Sequence, residues 1–562
     1  MTDDYGHDGS LLNSTQRAAD WLALSADEFD LVVVGGGVTG AGAALDASSR
    51  GLRVALIESC DLASGTSSKS SKLIHGGLRY LEMLNFGLVR EALRERNRLL
   101  TTLAPHLVKP INFIWPLTHV GWERLYLGAG LALYDTMGGA GALPWHRHLS
   151  KRTMKRIAPG LDPAAYTGGM HFYDAIEDDA RMVMMIARTA KAWGARVLTG
   201  ARAEEITRVG GRVSTIRVVD VETGDVVDVR TRHISYAAGV WSDELRKDGP
   251  RVRPSKGVHI LVPKQAIDSR AGILMRTEKS VLFVIPWGAH WLIGDTDTDW
   301  PLDRAKPVAS GADLDYILEK VNRVLSKNLT RADIVGSFTG LRPLVQSDPM
   351  ADTTKLSREH TVVKPEQDVT MIAGGKYTTY RVMAEDLVNA AVEASGIDAD
   401  PSRTKRLPLV GADDYERART DAVATAQSMG VSEATIQHLL GRYGDRVRDL
   451  ADLIRRSPEL ARTIDGYAPY IWAEIEYAYS HEGARSVEDV LERRTRIRIQ
   501  YRDSGRTILP VVARVGATAL GWDTVRVEAE ISAYSRSIDA EDAALTMASD
   551  ADALVAYRRL DP

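Results

Sequence analysis

Residues 31–59, LVVVGGGVTGAGAALDASSRGLRVALIES, leave little freedom for the fold around them. An apolar, β-branched run (Leu31 to Val34) meets Gly35-x-Gly37-x-x-Gly40. A small-residue helix pattern follows, and then a second apolar run that ends at Glu58. This is strand, glycine turn, helix, strand: a βαβ unit. The spacing assigns each glycine a task. One makes the tight turn, one lets backbone approach a pyrophosphate, and one lets helix pack against strand, while the helix N-terminus faces the phosphate charge. Glu58, twenty-three residues after Gly35, stands where a carboxylate accepts hydrogen bonds from an adenosine ribose. The same stretch is the most apolar of the chain, yet Gly35, Gly36, Gly37, Gly40 and Gly42 interrupt it, and a membrane span does not explain that pattern.

At 562 residues the chain is long enough for two or more domains and a sizeable buried site. With 26% charged residues and a net charge of -4, its composition is that of a globular protein and does not favour nucleic acid as a partner. Cys60 stands alone, which excludes an internal disulfide and any cysteine-built zinc or iron–sulfur site and suits a reducing cytoplasm. No metal site is expected. Residues 1–29 are polar, without the basic and apolar regions of a secretory signal, and read as a tail.

From about Arg196 to Gly239 short alternating strands are punctuated by Gly210-Gly211 and Thr223-Gly224-Asp225, which predicts a β-meander. HILVP, SVLFVIPW and HWLIGDT predict a second, substrate-side sheet. After Leu407-Pro408 helix formers at core-facing spacing predict a helical domain. The expected class is therefore α/β, with a discontinuous dinucleotide-binding domain over 30–400, a substrate domain inserted at about 105–165 and 256–345, a helical domain over 401–530, and an Ala- and Asp-rich tail over 531–562 that can form a loosely docked helix.

The glycine fingerprint alone does not separate FAD from NAD. The stretch after Glu58, CDLASGTSSKSSKLIHGGLRYLE, makes little sense as core and more as a loop lying along an extended cofactor. In it, and in YAAGVWSDEL, SKGVHILVP, VLFVIPWG, LIGDTDTD, GLRPL and GGKYTTYR, the chain resembles the FAD-dependent glycerol-3-phosphate dehydrogenases of the glutathione-reductase-like flavoproteins. The resemblance spans about Asp30 to Asp400. It implies FAD as cofactor, glycerol 3-phosphate as substrate, a quinone as electron acceptor, and contacts to the cofactor from Gly35, Gly37, Gly40, Glu58, Ser67, Ser68, Ser71, Lys72, Gly239, Gly375 and Thr378.

A phosphorylated three-carbon alcohol needs cationic groups for its phosphate, and Arg79, Arg342, Arg358 and Lys376 all lie in motif-like sequence, with Tyr80 beside Arg79. Oxidising the alcohol needs a base that works near neutral pH. Two histidines compete: His259, which matches the family position near the substrate hydroxyl, and His75, which can instead orient substrate or flavin. An oxidase that reduces oxygen shares these motifs. The absence of a long insertion between Trp287 and Arg342 favours the dehydrogenase. A flavin-fold protein that only binds a partner would have no need of a phosphate clamp.

Between residues 119 and 156, Trp122, Tyr126, Ala129, Leu133 and Met137 recur at helical spacing, and Arg147, Lys151, Arg152, Lys155 and Arg156 follow. An apolar helix beside cations suits an anchor on anionic lipid; it also suits an amphipathic helix packed on its own core. The lipid-soluble acceptor favours the first, which would put the protein in the cytoplasm against the inner face of the cell membrane. The sequence is compatible with a homodimer and specifies no oligomeric state.

Overall fold

A computed structural model describes residues 7–139, 142–245, 251–277, 281–345 and 359–561. Its first layer is a six-stranded sheet in the order 360–366, 369–374, 234–236, 31–34, 54–57 and 196–198. The last five run parallel, and 360–366 joins antiparallel. The parallel strands are apolar on both faces because both faces are covered. Helices Val38–Ser49, Asp179–Ala192 and Tyr380–Ser395 close one side, through Ala41, Ala44, Val183, Met184 and Leu387. A four-stranded sheet, in the order 28–29, 226–231, 212–220 and 201–209, closes the other through Val32, Ile216 and Val229. This second layer is the meander, with its turns at the expected glycines.

The substrate side is a ten-stranded sheet built from Leu73–Ile74, strands between Lys109 and Ile176, and strands between Val252 and Val345. Its longest pairing runs antiparallel between Val252–Pro263 and Gly336–Val345, setting His259 opposite Phe338 and Ser255 opposite Arg342. One face carries helix Gly311–Asn322, and the other looks into the molecule towards the parallel sheet.

Beyond residue 401 the chain is helical, with cores around Leu439 and Leu450 and around Val490 and Val512. Two segments expected as tails are structured. Ser14–Ala26 is a helix capped by Asn13, with Asp20 buried against Lys191 at 2.5 Å, and Glu28–Phe29 adds a strand to the meander. Helices Thr524–Ala544 and Asp550–Leu560 bury Ala540, Ala544, Leu554 and Tyr557 against Val240, Trp300 and Leu341, and Asp550 pairs with the buried Lys256. Their sequences are polar overall, and their anchors include the charged Asp20 and Asp550, whose partners lie far along the chain. Among the described residues no helix is long and apolar enough to cross a membrane.

Candidate active site

A cleft of about 1290 Å³ lies between the two large sheets. Pockets for a single small ligand hold about 300–1,000 Å³, so this one has room for an extended cofactor together with a substrate. At one end it is lined by Gly35, Gly37, Glu58, Cys60, Ser67, Ala201 and Gly239, and in the middle by Ser71, His75, Gly77, Thr378 and Gly375.

The glycine turn is built as its spacing requires. Gly35 adopts φ +114°, and a side chain there would strike the Ala237 carbonyl; a Cβ on Gly40 would come within 1.8 Å of the Gly35 oxygen. Gly40 does not line the cleft; it lets helix Val38–Ser49 close on its strand. Gly36 N–H donates to Glu58 Oε2 at 2.6 Å and Cys60 N–H to Oε1 at 2.8 Å. Oε1 also accepts from the Ser59 hydroxyl at 3.4 Å, and Oε2 keeps a lone pair for a ribose hydroxyl. Burial raises the Glu58 pKa above the ordinary value, and these two backbone bonds oppose that shift. Val38 N–H donates to Ser67 Oγ at 2.9 Å, which puts the Ser67 hydroxyl at the helix N-terminus, where an anion is favoured. These residues fit a dinucleotide.

Lys72 and Ser68 do not face this cleft. Lys72 is fully buried behind its wall, with Nζ 2.7 Å from Asp179 Oδ2 and donating to the Ser68 carbonyl, also at 2.7 Å. Burial pushes its pKa down to about 8. A lysine in a serine-rich loop looks like a phosphate ligand, but its partner carboxylate is 107 residues away and nothing local announces it. Lys72 and Asp179 thus brace the loop. The same loop is held by the helical domain: Arg493 and Arg494 bind Asp61, Arg496 binds Asp178 and Asp179, and Lys69 pairs with Glu492.

His259, Arg342 and Asp295 meet in the substrate-side wall. The His259 ring is 2% exposed and stacks on Phe338 at 4.8 Å, with Nε2 2.9 Å from Ser71 Oγ and 4.0 Å from Asp295 Oδ2. Its pKa is held well below 6.5, first by burial and then by the charges of Lys72 and Arg342, so the ring is a neutral base at neutral pH. Arg342 donates to the Thr296 carbonyl at 3.2 Å and pairs with Asp295. Gly257 opposite has no side chain, which leaves room for the guanidinium. Asp295 and Asp297 both line the cleft. Neither was singled out from the sequence, although LIGDTDTD contains both.

Lys376 follows the turn at Gly374 and Gly375, which have φ of +76° and +95°, and its Nζ lies 3.5 Å from the centre of the Tyr80 ring. His75 is tied to Thr378 at both backbone groups, by N–H to Oγ1 at 3.2 Å and by Oγ1–H to its carbonyl at 3.3 Å, and its ring meets the edge of Phe283 at 6.3 Å. The Arg79 side chain and the whole of Arg358 lie outside the described residues.

At its mouth the cleft is bordered by Met83, Leu84 and Phe86 and by Tyr126, Ala129 and Leu133 of helix Trp122–Gly138. That helix buries Leu127, Leu131 and Tyr134 but leaves Trp122 59%, Leu125 75%, Tyr126 50% and Leu133 40% exposed.

A βαβ glycine turn feeding a cleft floored by a parallel sheet, with a second sheet as its roof, is the architecture of a dinucleotide-dependent oxidoreductase. Residues 30–381 match the family described as FAD dependent oxidoreductase, and residues 402–527 match the C-terminal domain of alpha-glycerophosphate oxidase. Glycerol-3-phosphate dehydrogenase 2 of Mycobacterium tuberculosis is 48% identical over 541 residues, covering 95% of this chain and 92% of its own. The bovine mitochondrial glycerol-3-phosphate dehydrogenase is 36% identical over 543 residues, 92% of this chain and 74% of its own. The crystal structure of the Bacillus halodurans glycerol-3-phosphate dehydrogenase complexed with FAD superposes with a TM-score of 0.77 at 27% identity, covering 94% of this chain and 97% of that one. This chain belongs to the FAD-dependent glycerol-3-phosphate dehydrogenase family, and its cofactor is FAD.

Proposed function

We propose that this protein oxidises glycerol 3-phosphate to dihydroxyacetone phosphate and passes the electrons to a quinone at a membrane surface. The observation that carries the reading is a cleft with a neutral, buried imidazole and an arginine on one wall and a lysine stacked on an aromatic ring in the same space. A secondary alcohol that carries a phosphate presents the matching groups. Bound FAD supplies a hydride acceptor in that cleft. His259 takes the hydroxyl proton, and its low pKa keeps it unprotonated and ready to do so. Lys376 and Tyr80, with Arg79 and Arg358, bind the phosphate, and Arg342 orients the oxygen end. Gly35, Gly37, Glu58, Ser67 and Gly239 hold the adenosine diphosphate half, and Ser71, Gly375 and Thr378 line the rest of the cofactor.

The mouth of the cleft supports a lipid-soluble acceptor. Its apolar rim is continuous with the exposed side of helix Trp122–Gly138, and the exposed Arg147, Lys151, Arg152, Lys155 and Arg156 lie just beyond in the chain. Apolar side chains flanked by cations suit the headgroup boundary of an anionic bilayer, where a lipid-soluble quinone would reach the cleft without crossing water. This supports a peripheral protein on the inner face of the cell membrane. The test is to reduce the protein anaerobically and follow its reoxidation. A short-chain quinone is expected to outpace air-saturated buffer by at least tenfold, and faster reoxidation by oxygen with release of hydrogen peroxide would favour the oxidase.

A further inference from the structure

We propose that Asp295 is the positioning residue for proton removal: paired with Arg342 and facing His259, its carboxylate stabilises the imidazolium that forms as the alcohol is oxidised. The inference rests on the reading of the cleft as an alcohol-oxidising site. In that reaction the C2–H leaves as hydride for the bound flavin, the hydroxyl proton passes to the His259 imidazole, and a ketone remains. His259 therefore becomes a cation in a wall that excludes water.

The surroundings of the ring are unfavourable to that charge except on one side. Ser71 and Lys72 face it from the loop before strand Leu73–Ile74, Phe338 and Arg342 from strand Gly336–Val345, and Asp295 from the end of strand His290–Gly294. Lys72 and Arg342 repel a proton. Asp179 neutralises Lys72 but is committed to it and to Arg496. Among the described residues, the carboxylate paired with His259 is Asp295, 4.0 Å from Nε2. The same carboxylate holds Arg342, so one side chain sets the orientation of the guanidinium and the charge beside the base. Asp297 accepts from the Ser255 hydroxyl and stands 3.9 Å from Arg342, so of the two carboxylates beside that guanidinium it is Asp295 Oδ2 that meets both Arg342 and His259.

In the serine hydrolases a buried aspartate is hydrogen-bonded to the far ring nitrogen of the base, and replacing it with asparagine slows turnover about 10⁴-fold; Asp295 faces Nε2 itself and acts through its charge alone. Here the separation exceeds a hydrogen bond, so the loss expected is roughly a hundredfold, within the range that general-base catalysis contributes.

The test uses flavin-loaded holoenzyme mixed anaerobically with glycerol 3-phosphate, and reads the limiting rate of flavin bleaching separately from the half-saturating concentration. Calorimetric titration with dihydroxyacetone phosphate gives an affinity that does not depend on turnover. Asp295→Asn is expected to bleach about a hundredfold more slowly while binding product as tightly as wild type or more so, because the Arg342 charge is no longer compensated. Asp295→Glu, which keeps the charge, is expected to recover at least a tenth of the wild-type rate. If Asp295→Asn purifies with little flavin, Asp295→Thr is measured on its loaded fraction by the same criterion. A rate within threefold of wild type, or rate and product affinity falling together by similar factors, would overturn the inference, the second because Asp295 would then merely hold Arg342 in place. A wild-type flavin that the substrate fails to bleach would overturn the function itself, an outcome distinct from either.

Discussion

Placing an alanine at position 40 adds one methyl group where the fold has no space for it. A Cβ on Gly40 falls 1.8 Å from the Gly35 carbonyl oxygen, 3.0 Å from its carbon and 3.4 Å from the Ala237 Cβ. The first two contacts are backbone, and Gly35 is pinned by donating its N–H to the Ile57 carbonyl at 2.9 Å. Non-bonded heavy atoms sit at about 3.5 Å or more, so strand and helix must part by more than about 1 Å. Overpacking of this kind costs about 1–3 kcal/mol. Because the displaced atoms belong to the turn proposed to hold the pyrophosphate, a cost near 3 kcal/mol would fall on cofactor binding and weaken it roughly a hundredfold at 1.4 kcal/mol per decade. The assay is the ratio of flavin to protein absorbance after gel filtration, with Gly441→Ala as control. Gly441 sits in helix Glu433–Tyr443 with nothing within 4 Å of an added Cβ, and there alanine should stabilise the helix by up to about 1 kcal/mol. Gly40→Ala protein that retains flavin as fully as the control would refute the packing argument.

Lys376→Ala is expected to raise the half-saturating concentration of glycerol 3-phosphate about tenfold or more, each charge-assisted bond being worth about 1.5–3 kcal/mol, and to change little for unphosphorylated glycerol; steady-state kinetics with both substrates checks this. Co-sedimentation with anionic liposomes should fall as salt rises, since exposed charges are screened over about 8 Å at physiological ionic strength, and should be lost in a Leu133→Glu, Lys151→Glu double variant. Unchanged sedimentation of that variant would move the docking surface elsewhere.

The parts of this molecule legible in its sequence are those whose causes are local. Gly35, Gly37 and Gly40 answer backbone demands within six residues of one another, and the meander turns at Gly210-Gly211 and Gly224 where glycine alone relieves a positive φ. The helix carrying Trp122, Tyr126, Ala129 and Leu133 follows from spacing, while the exposure of that side is seen only in the structure. What was hidden depends on partners far along the chain. RRTRIR resembles a solvated helix face, yet Arg493, Arg494 and Arg496 are buried, each matched to Asp61, Asp178 or Asp179 more than 300 residues away. Lys72 is misleading for the same reason. Asp295 is hidden in the sequence because only the strand register brings it beside both His259 and Arg342. The helix at 14–26 and the two after residue 523 were obscured by polarity, since their anchors include Asp20 and Asp550.

The most direct measurement is the visible spectrum of the purified protein under anaerobic conditions, before and after glycerol 3-phosphate and with no electron acceptor present. An oxidised flavin spectrum that bleaches on addition of glycerol 3-phosphate, and not on addition of glycerol at the same concentration, is the predicted result. A flavin spectrum that glycerol 3-phosphate leaves unchanged would contradict the assignment of this cleft.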